Sequence, residues 1–569
     1  MFRKILYPSL LLLILTACKS NKKEAPPAGN PEIVNVDAPE EKTGKDKKIT
    51  DRDYSITKED AYNDIFLDSL AMERYIENRQ LGEKKIANRI RSFYNARNYQ
   101  YAWFSSAGLT EQARFFWNQY DYAVSQLKDT SIANNTFYKK AESYINQEKI
   151  TVSTKDSGLL NTEFGFTEHF IRYINSTYEK GYVKRKEQEK FIPIRKIYPM
   201  IMADSLLYKK HKDEKYYEDV NSMYAALKKQ LGIYYTLART GGWPVIPDIK
   251  SPLKKEATAA VIPLVKKRLQ LTNDMPGHDS SAVFTDTLEA AVMHFQKRYG
   301  YKPTGILTPG LIRDMNVPAE KRVEQILLNM DRMRWMPQKP EGNLIIVNIP
   351  EFILHVFDGD KSVFDMIVVV GRVGNNTMMF NGDLNQVVFS PYWNVPPSII
   401  EKEINPAIAR NPNYLASKNM ERTGNGIRQR PGPGNALGKV KFIFPNNFNM
   451  YFHDTPAKGF FNEDKRAFSH GCIRLSEPQK MAEWLLRNDP DWPKDKIVAA
   501  MNNTVEKSVR LKKPVPVFII YYTAWVDNDG NMNFRDDVYK HDEELMKKMF
   551  LLGKTNLVRV DNMQVAGQQ

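Results

Sequence analysis

Residues 449–475 read NMYFHDTPAKGFFNEDKRAFSHGCIRL. The stretch opens on Met450-Tyr451-Phe452-His453 and follows Lys441-Phe442-Ile443-Phe444; both alternate in the period-two pattern of strands with one buried face. It closes on Ser469-His470-Gly471-Cys472-Ile473-Arg474. Cys472 is one of 2 cysteines in the chain, and His453 and His470 are two of its 8 histidines. Gly471 lets the backbone approach a substrate carbonyl, and the amides beside it are expected to face a developing oxyanion. A thiol becomes a nucleophile when a base or an electropositive setting raises its thiolate fraction, and His453, His470, Arg466 and Arg474 are the candidates for that setting. His453, on a strand facing the Cys-bearing segment, is the expected base; His470 is expected to shape the loop. A lone Cys/His pair is more often buried packing than chemistry, so the decision falls to the surrounding residues.

Those residues form four motifs in order: Arg430 to Lys439 (RPGPGNALGK), Phe444-Pro445-Asn446, His453-Asp454-Thr455-Pro456, and Ser469 to Arg474. Together they resemble the catalytic domain of the L,D-transpeptidases of the YkuD family, in the three-part subgroup typified by YcbB. The resemblance implies that Cys472 is the nucleophile and His453 the proton acceptor and donor, oriented by the backbone carbonyl of Asp454. From the residues alone, the Asp454 side chain is the expected orienter. Ser469, His470 and Gly471 are implied as supporting residues. Arg474, at a position where many relatives carry Asn, is read as holding a substrate carboxylate. In this family a tetrapeptide stem of peptidoglycan is the donor, D-alanine leaves, a diamino acid of another stem accepts to give a 3-3 crosslink, and carbapenems acylate the cysteine. No metal and no cofactor are implied. The alternatives are an L,D-carboxypeptidase, a crosslinker of another amine, and a catalytically inactive peptidoglycan-binding lipoprotein.

Upstream of RPGPG, Pro391-Tyr392-Trp393 precedes a helix-like segment where YcbB-like relatives carry an insertion that caps the site. Tyr392 and Trp393 are accordingly candidate lid or substrate-binding residues, or else core aromatics. Strands are expected at Asn343 to Asn348, Phe352 to Phe357, Phe364 to Val370, Gln386 to Phe389 and Val515 to Trp525. His355, on an alternating strand, is expected to be structural.

A chain of 569 residues exceeds one hydrophobic core, so several domains are expected. Residues 53–250 show apolar spacings of three and four and read as a helical scaffold domain; Trp103-Phe104 before Gly108-Leu109-Thr110 resembles the start of that domain in YcbB-like enzymes. Residues 255–317, with a helix starting at a Thr285 cap and the sequence Phe295 to Gly300, resemble the peptidoglycan-binding type 1 domain; a three-helix spacer is the competing reading. A linking helix is expected from Val323 to Trp335, the catalytic domain over 343–540, and a C-terminal tail over 541–569. The expected fold class is multidomain α+β: helical scaffold, small helical peptidoglycan-binding domain, and a mostly β catalytic domain with a helical and loop capping insertion.

The N-terminus speaks to compartment. Met1 to Lys4 is a short basic region, Ile5 to Leu15 is apolar, and Leu15-Thr16-Ala17-Cys18 resembles the lipobox of a bacterial lipoprotein signal. The apolar run is shorter than the roughly 20 residues that span a bilayer. Residues 1–18 are thus expected to be a signal with lipidation at Cys18, and 19–52 a disordered tether in the cell envelope, facing the periplasm. With Cys18 lipidated, Cys472 would be the remaining thiol, excluding an intramolecular disulfide and pointing to reactivity. The net charge of +15 is dispersed among acids, and no zinc-ligand spacing, P-loop or RNA-binding motif points to nucleic acid. The expected partners are peptidoglycan stem peptides and glycan, and a membrane through the lipid.

Overall fold

The computed structural model describes residues 49–551 except 82–83, 148, 178–190, 209–220, 278, 337–339, 341 and 425. The expected signal, Cys18 and the expected tether up to residue 48 lie outside the described residues, as do residues 552–569. Within the expected tether, Thr50 N–H donates to Ser92 Oγ at 3.1 Å and Arg52 Nε to Asn98 Oδ1 at 2.7 Å, so the folded part begins before residue 53.

The N-terminal region is mainly helical. Ser157–Thr177 packs against Lys84–Ala96, Glu111–Asp121 and Asn135–Ile145. The aromatic spacing of these helices builds a core: Trp103 is fully buried, with ring centroids of Phe116, Phe166 and Phe170 at 5.3, 5.5 and 5.2 Å. Glu163 is buried beneath it and accepts the backbone N–H groups of Ala102, Trp103 and Phe104 at 2.6, 3.0 and 3.2 Å. Burial pushes its carboxyl up to about 7, and those donors pull the other way.

Three helices, Ile262–Leu271, Asp286–Arg298 and Pro309–Met315, form the next unit. Thr285 and Thr308 cap the second and third by accepting the N–H groups of Leu288 and Leu311. The expected linking helix follows and is buried. It runs Ala319–Arg334, is buried along most of its length, and packs against Pro199–Tyr208, Ser222–Arg239 and His541–Met549. Its buried charge is paired: Arg332 Nε donates to Glu111 Oε1 at 2.6 Å and Nη1 pairs with Asp542. Residue 541, where the sequence suggested a tail, thus begins a docked helix.

The C-terminal region is a closed β-barrel. Its strands are β1 Asn343–Asn348, β2 Ile353–Asp358, β3 Lys361–Gly371, β4 Phe380–Phe389, β5 Val440–Ile443, β6 Tyr451–His453, β7 Ala467–Ser469, β8 Ile473–Leu475 and β9 Lys507–Ile520. They hydrogen-bond in the order β7-β3-β8-β6-β5-β4-β9-β1-β2, and β2 also pairs with β3, which closes the sheet. The expected strand from Val515 to Trp525 is instead the end of β9 followed by a separate strand, Ala524–Val526. In β1, Ile345 and Val347 enter the barrel core while Leu344 and Ile346 pack on the helical region, which explains its unbroken apolar run. Strands β5, β6 and β8 alternate instead: Val440, Phe442, Phe452, Ile473 and Leu475 point inward, and their neighbours point out.

Candidate active site

The outward residues of β6 and β8 carry the sequence-nominated chemistry. These strands are parallel, with Phe452 opposite Ile473 and His453 opposite Arg474. Since Phe452 and Ile473 fill the barrel, Tyr451 and His453 on one strand share the outer face with Cys472 and Arg474 on the other. Register alone therefore brings together residues far apart in sequence.

His453 is buried, and its Nδ1 lies 2.5 Å from the backbone carbonyl oxygen of Asp454. A hydrogen bond there puts the proton on Nδ1 and leaves Nε2 as the free base. Burial lowers the imidazole to about 4, and the charge of Arg474 adds to the effect. The Asp454 carboxylate is occupied elsewhere: Oδ1 accepts Thr455 N–H at 2.7 Å and Lys458 Nζ at 2.6 Å, and Oδ2 accepts Lys439 N–H at 2.8 Å. Its side chain sits so close to Gly438, at φ +62, that a Cβ there would lie 2.4 Å from the carboxyl carbon. That contact explains the glycine closing the RPGPGNALGK motif, and it corrects the expectation that the Asp454 side chain orients the histidine.

Cys472 is half-buried, with Sγ 3.8 Å from Asn449 O. Burial pushes the thiol up to about 11, opposed by the backbone N–H and hydroxyl of Tyr451 and by Arg474. The resting pair is therefore thiol and neutral imidazole, where the sequence suggested a raised thiolate fraction. Tyr451 is a site residue that sequence reasoning missed. The signal was its spacing, two residues before His453 on the same strand face.

The loop before Cys472 is locked by its own groups. Ser469 Oγ accepts Gly471 N–H at 3.1 Å and donates to Cys472 O at 2.5 Å, while Gly471 adopts φ +114. Gly471 N–H is thus committed within the loop and differs from the oxyanion donor expected there. His470 turns away toward Glu403, its Nε2 at 3.0 Å from Oε1, with Arg372 Nη2 at 3.5 Å. Arg466 also turns aside, donating to Glu463 O at 2.7 Å and lying over the Phe352 ring. Arg474 stays on that outer face, and among the described residues its buried Nε has no hydrogen-bond partner. Among the described residues, no group of three or more His, Cys, Asp or Glu is placed to hold a metal ion.

Glu403 belongs to the insertion between β4 and β5. Val395, Ile399, Ile404 and Ile427 give this segment its own apolar core, against which Trp393 packs. Trp393 is thus partly a core residue of the insertion. Tyr392 sits at its base, where its N–H donates to Glu506 Oε2 at 2.7 Å, its carbonyl accepts Lys441 Nζ at 3.4 Å, and Arg428 lies over its ring. At the other end, Asn435 Nδ2 donates to Pro391 O at 3.0 Å and ties the two ends together.

Residues 342–517 match the YkuD family, described as the L,D-transpeptidase catalytic domain; 88–231 match a scaffold domain, and 263–315 a "Putative peptidoglycan binding domain". Three domain models thus match in the order scaffold, peptidoglycan-binding, catalytic, and the catalytic match falls on the β-barrel that carries Cys472 and His453. A "Putative L,D-transpeptidase" of Haemophilus influenzae is 29% identical over 255 residues, which are 41% of this chain and 51% of that protein. The chain therefore spans about half the length of this curated relative. Among solved structures, an L,D-transpeptidase of Mycobacterium smegmatis is 13% identical, with a TM-score of 0.19 over 32% of this chain and 60% of its own. One from Stackebrandtia nassauensis is 12% identical, with a TM-score of 0.20 over 47% and 97%.

Proposed function

We propose that this chain is a cysteine-dependent L,D-transpeptidase that crosslinks peptidoglycan stem peptides. The observation that carries the reading is the shared outer face of Tyr451, His453, Cys472 and Arg474 on two adjacent strands. The catalytic-domain match over 342–517 and the name of the Haemophilus relative support the same reaction class.

In this mechanism His453 Nε2 takes the Cys472 proton as the sulfur adds to the amide carbonyl of a tetrapeptide stem, because the two groups rest neutral. The Tyr451 hydroxyl, beside the sulfur, is assigned to stabilise the oxyanion. The C–N bond breaks, the imidazolium protonates the departing D-amino acid, and a thioester remains. An amine of a second stem then attacks, gives its proton to His453, and breaks the S–C bond to form the 3-3 crosslink. Cys472 recovers its proton from His453. Arg474, with Nε free, is assigned to a substrate carboxylate. The insertion carrying Glu403 caps the thioester against water.

Incubation with purified sacculi followed by muropeptide analysis tests this. New 3-3 dimers are expected from wild type and none from Cys472→Ala; tetrapeptides trimmed to tripeptides without dimers would instead identify a carboxypeptidase. A carbapenem is expected to leave one adduct on Cys472, and an adduct elsewhere would overturn the assignment. The helical unit at 263–315 is proposed to hold the enzyme on the polymer, so deleting it should reduce sacculus binding more than acylation by a small donor. Cys18 is proposed as the lipidated N-terminus facing the periplasm, and Cys18→Ala should move the protein to the soluble fraction.

A further inference from the structure

Tyr539 lies beyond the residues that match the catalytic domain, yet its hydroxyl holds Gly371 and Thr377, in the turn whose Thr377 hydroxyl touches the Cys472 loop. It is buried, donates to Gly371 O at 2.7 Å and accepts Thr377 N–H at 3.2 Å. The Thr377 hydroxyl, also buried, accepts Gly371 N–H at 2.9 Å and donates to Gly471 O at 2.7 Å. Each hydroxyl has a single proton, and both protons are committed: one holds the Gly371 carbonyl, the other the carbonyl next to Cys472. The turn cannot be rebuilt around a larger residue, because a Cβ at Gly371 would lie 2.0 Å from Asn375 O.

The brace continues away from the site. Tyr539 N–H donates to the Tyr521 hydroxyl at 2.8 Å, and that hydroxyl donates to Asp537 Oδ1 at 2.7 Å. Asp537 Oδ2 accepts Glu543 N–H at 3.0 Å in the first turn of His541–Met549. Asp542, next in that turn, pairs with Arg332 on the buried helix Ala319–Arg334. An unbroken series of hydrogen bonds and one short helical turn thus runs from the helical region to Gly471.

We infer that Thr377 and Tyr539 are positioning residues for the acyl-transfer step: they fix the Gly471 peptide, and with it the direction of the Cys472 sulfur, and anchor both to the helical region. Gly471 sits at φ +114, where glycine's backbone is least constrained by sterics. Its internal partner Ser469 Oγ holds the N–H side, so Thr377 supplies the restraint on the carbonyl side. This inference rests on Cys472 being the nucleophile.

The test uses the full chain with Tyr539→Phe, Thr377→Val and Thr377→Ser. Single-turnover acylation by imipenem gives a saturating rate and a half-saturating concentration, and hydrogen exchange of the peptide 467–475 reads loop order directly. Tyr539→Phe and Thr377→Val are expected to slow the saturating rate by roughly 10- to 100-fold, the scale of a misplaced reacting group. Their half-saturating concentrations should stay within about twofold, as expected when alignment rather than ground-state binding is lost. Exchange at 467–475 should rise without a change in the acid limb of the pH profile, and Thr377→Ser should recover most of the rate. Folded variants with rates within about twofold of wild type and unchanged exchange would overturn the inference. Should Tyr539→Phe fail to fold, Asp537→Asn, which loosens Tyr521 and leaves the Tyr539 phenol, is expected to give a smaller loss of the same kind; no loss overturns it. If wild type forms no adduct at all, the nucleophile reading fails, while exchange at 467–475 still decides whether the brace orders the loop.

Discussion

Two histidines stand on outward positions of the same barrel, and their surroundings have little else in common. His355 on β2 lies between carboxylates, with Nδ1 2.8 Å from Asp365 Oδ1 and Nε2 3.1 Å from Glu351 Oε2. Although burial disfavours the charge, those carboxylates raise it to about 10, so it rests as an imidazolium with both nitrogens donating. His453 on β6 faces a carbonyl, with Arg474 and Lys458 as its nearby cations, and is lowered to about 4. The strand supplies rigidity in both cases. The neighbours decide whether the ring is a fixed cation or a base with a free nitrogen.

The strongest way to break this comparison is to remove each ring. His453→Ala should slow acylation of Cys472 by about 10²- to 10⁴-fold, the usual loss for a general base. His355→Ala should leave the saturating rate within about twofold. It should instead lower stability by about 1–3 kcal/mol, the cost of stranding partly buried acceptors. Acylation rates and denaturant midpoints of the two variants check both halves; a catalytic collapse in His355→Ala would erase the distinction.

A pH series sharpens it. For His453, lowered from an ordinary 6.5 to about 4, the unfolded chain binds more protons between those values, so stability is present above 6.5 and is lost as pH falls toward 4. For His355, raised to about 10, stability is present below 6.5 and is lost as pH rises toward 10. Thermal melts of wild type should therefore fall off on both sides. His355→Ala should flatten the alkaline side. His453→Ala should flatten only part of the acid side, because buried His169 in the helical region is also lowered to about 4. For the same reason, the acid limb of acylation should lie near pH 4, well below the ordinary 6.5.

Much of the outer face was legible because alternation is a local property. Phe442, Phe452 and Ile473 announced which residues point inward, and that placed His453, Cys472 and Arg474 on one face once the strands were paired. The fold class was legible from apolar periods of three to four before residue 334 and of two after 343. What stayed hidden depends on contacts across long separations. The Tyr451 hydroxyl matters through Cys472, with only its spacing from His453 to signal it, and Tyr539 matters through Gly371 and Thr377, with no sequence neighbour that announces it. The Asp454 carboxylate misled because adjacency to a histidine resembles an orienting role, whereas its oxygens go to Lys458, four residues on, and to the Lys439 N–H, which the strand pairing brings near. The burial of the linking helix Ala319–Arg334 was not legible because its Arg332 is paired with Glu111 and Asp542, 221 and 210 residues away in sequence.

The smallest effect expected is at the third outward histidine, His470, whose partner Glu403 belongs to the cap. This pair combines features of the other two: a carboxylate partner, as at His355, and a place within two residues of the thiol. Its side chains are 35% and 50% exposed, so the contact, an ion pair only when His470 is protonated, is screened and worth about 0–1 kcal/mol. A latch that weak biases closure of the cap by a factor of about five at most. Glu403→Gln should accordingly change the acylation rate by less than about fivefold, and raising ionic strength should bring wild type toward the variant because salt screens exposed charges. A loss as large as that of His453→Ala would mean that His470, not His453, handles the proton, and the contrast between the two barrel histidines would have to be redrawn around the loop.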